Sequence, residues 1–207
     1  MTDQPQTMHI KKNTTGAIIA AEVHQSIQDT DLLDWQKTWQ PEVNEVIQKL
    51  GSQGVPSKNW PQSFHWNWIN KVRATEGLLG QETFSLRAEG QLQGLMHLDL
   101  TKSARHASQS GKPIVYVEYL ETAPWNRAPP FRGPLFSGIG SVLTAIAINR
   151  SFEEEFKGRI GLHSLPQSED FYRNTVKMTD LGNDLNYLNL RYFETTPEQA
   201  IAFAERK

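Results

Sequence analysis

The chain has 207 residues, a formal net charge of −2, six histidines and no cysteine. That length suits one domain with a core that needs no staples, and the missing cysteines exclude a disulfide framework, a thiolate zinc site and a cysteine nucleophile. The near-neutral charge offers no basic field for nucleic acid, and no apolar run approaches the ~20 residues of a membrane span. A soluble, cytoplasmic protein without nucleic-acid or membrane partners is the expectation.

Residues 1–15 are polar, with two lysines and no long apolar stretch. They read as a disordered or frayed tail rather than a signal peptide. Gly16 to His24 is apolar and partly β-branched, which predicts the first strand. Leu32, Trp35, Trp39, Val43, Val46, Ile47 and Leu50 recur every three or four residues, the spacing of one helix face. Asp29, Thr30 or Asp31 can cap that helix. Pro41 falls inside the pattern and predicts a break near Gln40. A loop from Ser52 leads to Pro61, which can start a third helix running to about Arg73. Five of the six tryptophans lie between Trp35 and Trp68. Such a cluster reads more readily as core than as a ligand platform.

Thr83 to Ala88 alternates as a strand, Glu89-Gly90 makes a tight turn, and Leu92 to Thr101 returns as the second arm of a hairpin. A polar loop from Ser103 to Lys112 precedes the central stretch, Pro113 to Met178. That stretch opens with a buried strand over residues 113–124, followed by a proline-rich loop from Trp125 to Ser137. Gly138-Ile139-Gly140-Ser141 then opens an apolar helix that fades into Glu153-Glu154-Glu155. Acids at a helix C-terminus oppose its dipole. A strand from Arg159 to Leu165 and a short helix carrying Tyr172 complete the unit. Leu185 to Glu194 alternates as a last strand. Thr195 or Thr196 caps a C-terminal helix with Pro197 in its first turn. There is no internal repeat. This order of elements predicts an α/β or α+β fold with a mixed sheet.

Glycines at a helix start let an anion approach backbone N–H groups and the positive end of the helix dipole. A phosphate-bearing ligand at Gly138–Ser141 is one reading; a tight strand-to-helix turn is the other. Gly133 and Gly138 have the spacing of a nucleotide-binding loop, but Ile139-Gly140 stands where that loop needs Lys-Ser/Thr. Leu143 replaces the third glycine of a dinucleotide fingerprint. No serine sits in a Gly-x-Ser-x-Gly elbow. The histidines are scattered without metal-ligand spacing, so no metal is expected.

Leu120-x-Thr122-x-Pro124-x-x-Arg127, followed by Gly138-x-Gly140 at a helix start, resembles motif A of the GNAT acyltransferases. Gly161-Leu-His-Ser-Leu165 and Ser168-Glu-Asp-Phe-Tyr-Arg173 resemble motif B. The resemblance is to a bacterial, uncharacterised GNAT-like subgroup and covers residues 113–178. It implies a mostly antiparallel sheet with splayed central strands, flanked by helices, in a single domain over 16–207. Residues 28–80 would face the acceptor and 113–178 would hold acetyl-CoA or another acyl-CoA. Its pyrophosphate would lie on the backbone of Phe136, Ser137, Gly138, Ile139, Gly140 and Ser141. Its pantetheine arm would run beside Leu120, Glu121 and Thr122. Arg127 would serve the phosphates. Ten residues, Ala128 to Ser137, separate Arg127 from Gly138, a longer loop than the family carries. On the resemblance, Arg132-Gly133 would be the displaced equivalent of the usual loop residues.

Acyl transfer to a primary amine passes through a tetrahedral intermediate. It needs a base for the amine, a donor for the oxyanion and an acid for the thiolate. The resemblance places Tyr172 as that acid and the backbone near Leu120 as the oxyanion donor. Glu118 and Glu121 are the candidate bases. Strand alternation puts them on opposite faces, so at most one points at the acceptor. Each has a plainer reading: Tyr172 as packing, Glu118 as an ordinary strand carboxylate, His163 as a packed histidine. The acceptor would be a small-molecule or protein amine, and GNAT proteins often form homodimers. The alternative function is a catalytically weak acyl-CoA-binding or partner-binding module. An interaction protein without cofactor is a third reading, and it leaves the glycine turn unexplained.

Overall fold

The computed structural model describes residues 4–205. They divide into two compact units. Unit 1 holds the described part of Met1–Leu78 with Thr83–Met96 and Leu120–Val142; unit 2 holds Leu79–Glu82, His97–Tyr119 and the described part of Leu143–Lys207.

In unit 1, β1 (Gln6–Lys12) pairs antiparallel with β2 (Ile18–Gln25). The tail expected over residues 1–15 is therefore a strand over most of its described part. Polar residues dominate it, but Ile10 is buried, and ladder bonds do the rest. Helix α1 (Asp29–Asp34) begins where the Gln28 N–H donates to the Asp31 carboxylate at 3.0 Å. A π-helical turn, Trp35–Trp39, joins it to α2 (Gln40–Ser52). Here the expected break at Pro41 takes another form. The Gln40 N–H reaches back to the Trp35 carbonyl, and this widened turn lets the helix continue past a residue that has no N–H to donate. Trp35 and Trp39 stay buried on either side of it.

Helix α3 (Trp68–Thr75) starts later than Pro61, because Asn67 caps it by accepting from the Asn70 N–H at 3.0 Å. Strands β3 (Gln81–Ala88), β4 (Gln91–Ser103) and β5 (Pro113–Thr122) follow. Glu89 and Gly90 both take positive φ in the hairpin turn, as a tight two-residue turn requires. β4 is buried continuously from Leu92 to Asp99, as a central strand must be. Strand β6 (Phe136–Ser137) pairs with Lys12 and Lys11 of β1.

In unit 2, helix α4 (Ile139–Glu153) continues from the last residues of unit 1. It is followed by β7 (Ile160–Ser164), β8 (Thr179–Asp184), β9 (Leu190–Glu194) and α5 (Pro197–Ala204). The strand expected over 185–194 is in fact a hairpin. Residues 185–189 form its loop, where Leu188 and Asn189 take positive φ, and β8 supplies the arm before it. Thr196 caps α5 by accepting from the Gln199 N–H at 3.3 Å. β5 and β7 run parallel, paired at Val115–Ile160 and Tyr116–Gly161; β7–β9 and β9–β8 are antiparallel. The nine strands thus make a mostly antiparallel sheet with flanking helices, an α+β architecture.

The acidic end of α4 has a tertiary explanation. Arg150 donates to Glu82 at 2.7 and 2.8 Å and to Glu153 at 2.8 Å, and it also pairs with Glu154. One guanidinium, anchored by Glu82 of β3, therefore answers the two carboxylates, Glu153 and Glu154, that the helix dipole disfavours. After the helix, Gly158 takes φ +76°, and a Cβ there would sit 2.6 Å from the Ala200 Cβ. Gly158→Ala is expected to lower stability by about 1–3 kcal/mol through this overlap. Urea unfolding measures it, and an unchanged midpoint would refute the close packing.

Candidate functional site

The end of β5 in unit 1 is organised by one buried ion pair. Glu121 is 7% exposed. Its Oε2 accepts from the Trp68 indole at 2.6 Å, and its Oε1 lies 3.0 Å from Arg127 Nη2. Arg127 also donates through Nε to the Thr122 carbonyl at 2.7 Å and through Nη1 to Ser63 at 3.3 Å. Its guanidinium lies 5.2 Å from the centre of the Phe131 ring. A candidate base and a candidate phosphate ligand are thus brought together, each engaged by the other. Charges buried this deeply persist only when paired and hydrogen-bonded.

The turn after β5 is latched by Gln93 of β4. Its Oε1 accepts from Trp125 Nε1 and from Asn126 Nδ2, both at 2.8 Å. Asn126 Oδ1 in turn accepts from the Phe136 N–H at 3.0 Å, and the Trp125 carbonyl accepts from Leu135 at 2.9 Å. The long loop is therefore closed at its base, an Ω-like arrangement. Asn13, next to β1, completes the clasp. Its Nδ2 donates to the Pro134 carbonyl at 2.7 Å and to Ser137 Oγ at 2.8 Å. Arg132 and Gly133 lie within this loop and line a cavity of unit 1.

Directly after β6, Gly138 takes φ +98°, with no atom within 4 Å of where a Cβ would be. Helix α4 starts at once, its first internal bond running from the Val142 N–H to the Gly138 carbonyl at 2.9 Å. Ile139 is buried beneath this turn, while Ser137, Gly140 and Ser141 are partly exposed. The open space at Gly138 and the helix start suit an anion held by backbone.

Unit 2 carries Glu118 and Tyr172. Glu118 Oε1 accepts from the Tyr187 hydroxyl at 2.9 Å. The Tyr187 ring stacks on His163, centroids 3.9 Å apart and planes 14° from parallel. His163 Nδ1 lies 2.6 Å from the Tyr116 hydroxyl, and its Nε2 lies 3.0 Å from Asp184. Arg105 holds the same Asp184 oxygen at 2.5 Å. His163 is thus a packed strand residue and also the centre of a polar network that backs Glu118. Tyr172 lies in a second π-helical turn, Phe171–Val176, packed edge-on against Phe171 and tilted against Phe193. Burial pushes its phenol up from the ordinary value. Its hydroxyl makes no hydrogen bond among the described residues. The pairing of β5 with β7 ends at Tyr116, while β5 runs on through Val117 to Tyr119 in this unit.

Arg105, His163 and the Asn186 N–H hold the Asp184 carboxyl below the usual range, at about 2. Burial depresses His163. Both shifts act in one direction. Below the ordinary imidazole value of ~6.5 the unfolded chain takes up a proton that folded His163 resists. Below the ordinary carboxylate value of ~3.9 the same holds for Asp184, until the pH reaches its folded value. Stability is therefore expected to fall on acidification, first below about pH 6.5 and again below about pH 4. Urea midpoints against pH test this, and His163→Gln should abolish the upper step.

The fold has solved counterparts. A tyrosine-to-phenylalanine mutant of the AtaT toxin, bound to the C-terminus of the antitoxin AtaR, matches with a TM-score of 0.52 and 14% identity over 90% of this chain and 99% of that one. The same toxin with acetyl-CoA matches with a TM-score of 0.51, 12% identity and the same coverage. The PaiA N-acetyltransferase from Thermoplasma acidophilum, in complex with coenzyme A, matches with a TM-score of 0.50 and 12% identity over 85% of this chain and 98% of that one. The fold is that of the GNAT acetyltransferases. No family model matches the chain, and no curated protein matches it in sequence.

Several residues that support the candidate site of this GNAT fold gave no signal in the sequence. Trp68, Ser63 and Gln93 come from elements far from the motifs. Tyr187 and Asp184 lie in and beside a hairpin loop that alternation disguised as a strand. Asn13 lies in a segment read as tail. Among the described residues no group of three or more histidine, aspartate or glutamate side chains could hold a metal. No helix among them is long and apolar enough to cross a membrane.

Proposed function

We propose that the protein is an N-acyltransferase that moves an acetyl or other acyl group from acyl-CoA to a primary amine. The carrying observation is the open, left-handed Gly138 at the start of α4, in a chain with the GNAT fold. A side chain at that position would fill the space through which a pyrophosphate reaches backbone. In this reading the backbone of Ser137 to Ser141 holds the pyrophosphate, since the Phe136 N–H is already given to Asn126, and the backbone of Leu120 to Thr122 lines the pantetheine arm. We assign the chain from β1 onward to a single acyltransferase domain, with 28–80 on the acceptor side.

Bound acyl-CoA supplies the thioester carbonyl and a thiolate leaving group. Glu118 takes the proton from the attacking ammonium, held towards its task by the Tyr187 hydroxyl. The backbone N–H near Leu120 donates to the oxyanion. As the new C–N bond forms and the C–S bond breaks, Tyr172 gives its proton to sulfur, and its phenolate takes back the second proton that the amine nitrogen loses on becoming an amide. Its uncommitted hydroxyl is what supports that role; burial raises the phenol and so opposes the transfer, except where the same burial makes the leaving thiolate more basic. Glu121, the other candidate base, is already engaged by Trp68 and Arg127, so its part is to hold the end of β5. Isothermal titration with acetyl-CoA, followed by an amine panel, tests the reading. Binding and turnover are expected, and absence of binding at millimolar ligand would overturn it.

One observation favours the alternative, a catalytically weak acyl-CoA-binding or partner-binding module. Arg127 is committed to Glu121, Thr122 and Ser63 rather than open to phosphate. A module that binds acyl-CoA without turnover would share this geometry. Turnover that disappears in Tyr172→Phe excludes it.

A further inference from the structure

Unit 1 carries an open cavity of about 480 Å³, in the range of small-molecule sites, with the exposed Arg132 and Leu135 at its rim. Three segments build it: the helix that runs through the π-turn, the hairpin turn at Gly90, and the clasped loop. Asp34 and Glu42 stand on the helix side, and Arg132 on the loop side. Arg87 pairs with both Asp31 and Asp34, so one positive charge answers two negative ones and that wall keeps a net −1 before Glu42 is counted. Glu42 and Arg132 make no ion pair or side-chain hydrogen bond among the described residues, with each other or with any other group. A free carboxylate and a free guanidinium facing one small space are two halves of an unmade pair.

The remaining lining mixes Thr38 and Gln91 with an apolar patch. Leu92 and Leu135 line it beside the Trp125 indole, whose N–H is held by Gln93 and whose ring packs edge-on against Trp39. Rigid aromatic and aliphatic walls with a few convergent charges are the makeup of a ligand pocket. π-Helical turns also occur frequently at such sites.

We propose that this cavity binds a zwitterion with an apolar side chain, an α-amino acid. The ammonium lies towards Glu42 and Asp34, the carboxylate meets the Arg132 guanidinium, and the side chain rests on Leu92, Leu135 and Trp125. The charge pattern excludes a purely anionic ligand, since two carboxylates would face it. It disfavours a simple cation, which would leave Arg132 unanswered.

The test is isothermal titration of the full chain with L-leucine, N-acetyl-L-leucine and L-leucinamide, in the absence of acyl-CoA. Leucine is expected to bind. The acetylated form, lacking the ammonium, and the amide, lacking the carboxylate, should each bind at least about tenfold more weakly. Glu42→Gln should erase the discrimination against the acetylated form, and Arg132→Gln the discrimination against the amide. Circular dichroism confirms that both variants fold. No heat with any natural amino acid at millimolar ligand would overturn the proposal. So would equal binding of all three ligands, or wild-type binding by both folded variants. Because no acyl-CoA is present, failure here leaves the acyltransferase reading standing, and failure of that reading leaves this one standing.

Discussion

Arg127→Ala is expected to destabilise the chain by about 3–5 kcal/mol, a large share of a typical domain's stability. The substitution strands Glu121, a carboxylate buried to 7% exposure, with only the Trp68 indole as a direct partner. It also frees the Thr122 carbonyl and Ser63, which the same guanidinium holds. Leaving one charge of a buried pair costs far more than the pair itself contributes, because the remaining ion keeps its desolvation penalty. Urea unfolding of the single and double variants with Glu121→Gln separates the two quantities. The double variant should recover part of the loss, with a coupling of about 1–3 kcal/mol. A loss below about 1 kcal/mol for Arg127→Ala would mean that the pair behaves as a solvated one. The result bears on function as well. An Arg127 that carries stability is an organiser of the β5 end, and the phosphates of a bound acyl-CoA must then be met by the backbone after Phe136.

Glu118→Gln is expected to lower kcat of acyl transfer by about 10²–10⁴-fold, with little change in stability. Glu118 is half-buried and accepts from the Tyr187 hydroxyl, so the amide can take its place in the packing while losing the ability to accept a proton. Tyr187→Phe should cost less, about tenfold in kcat with KM unchanged, because it removes the group that aims the base and leaves the base in place. Full activity in Glu118→Gln would move the base elsewhere and sink the assigned mechanism. Full activity in Tyr187→Phe would leave the network around His163 with a structural role alone.

The fold class was legible because the strongest signals were local. The alternation of residues 83–88, the apolar run of the buried strand in 113–124, the three-and-four spacing from Leu32 to Leu50, and the glycine start of α4 are each patterns that a single element imposes on its own residues. Pro41 was legible as a perturbation, but its outcome was not. A proline removes a donor, and whether the helix breaks or widens depends on what packs against it; here Trp35 and Trp39 are buried on either side of the widened turn. β1 and the β8–β9 hairpin were missed for a related reason. Their residues are mixed in polarity, and they are strands because neighbouring strands offer ladders.

Local pattern was enough for the hairpin of residues 83–101, the central strand, helices α4 and α5 and the glycine turn at 138, and for the carboxylates and tyrosine that acyl-transfer chemistry would use; β1, β6 and β8 were outside its reach. Tertiary structure decided which of these groups are at liberty. Glu121 and Arg127, equal candidates in the chain, neutralise each other once folding brings them to 3.0 Å. Glu118 is aimed by a tyrosine 69 positions away. The acidic tail of α4, unfavourable in isolation, is answered by Arg150. Charge pairing depends on distance in space, and residue spacing along the chain carries little of that information beyond one helical turn or one strand pair.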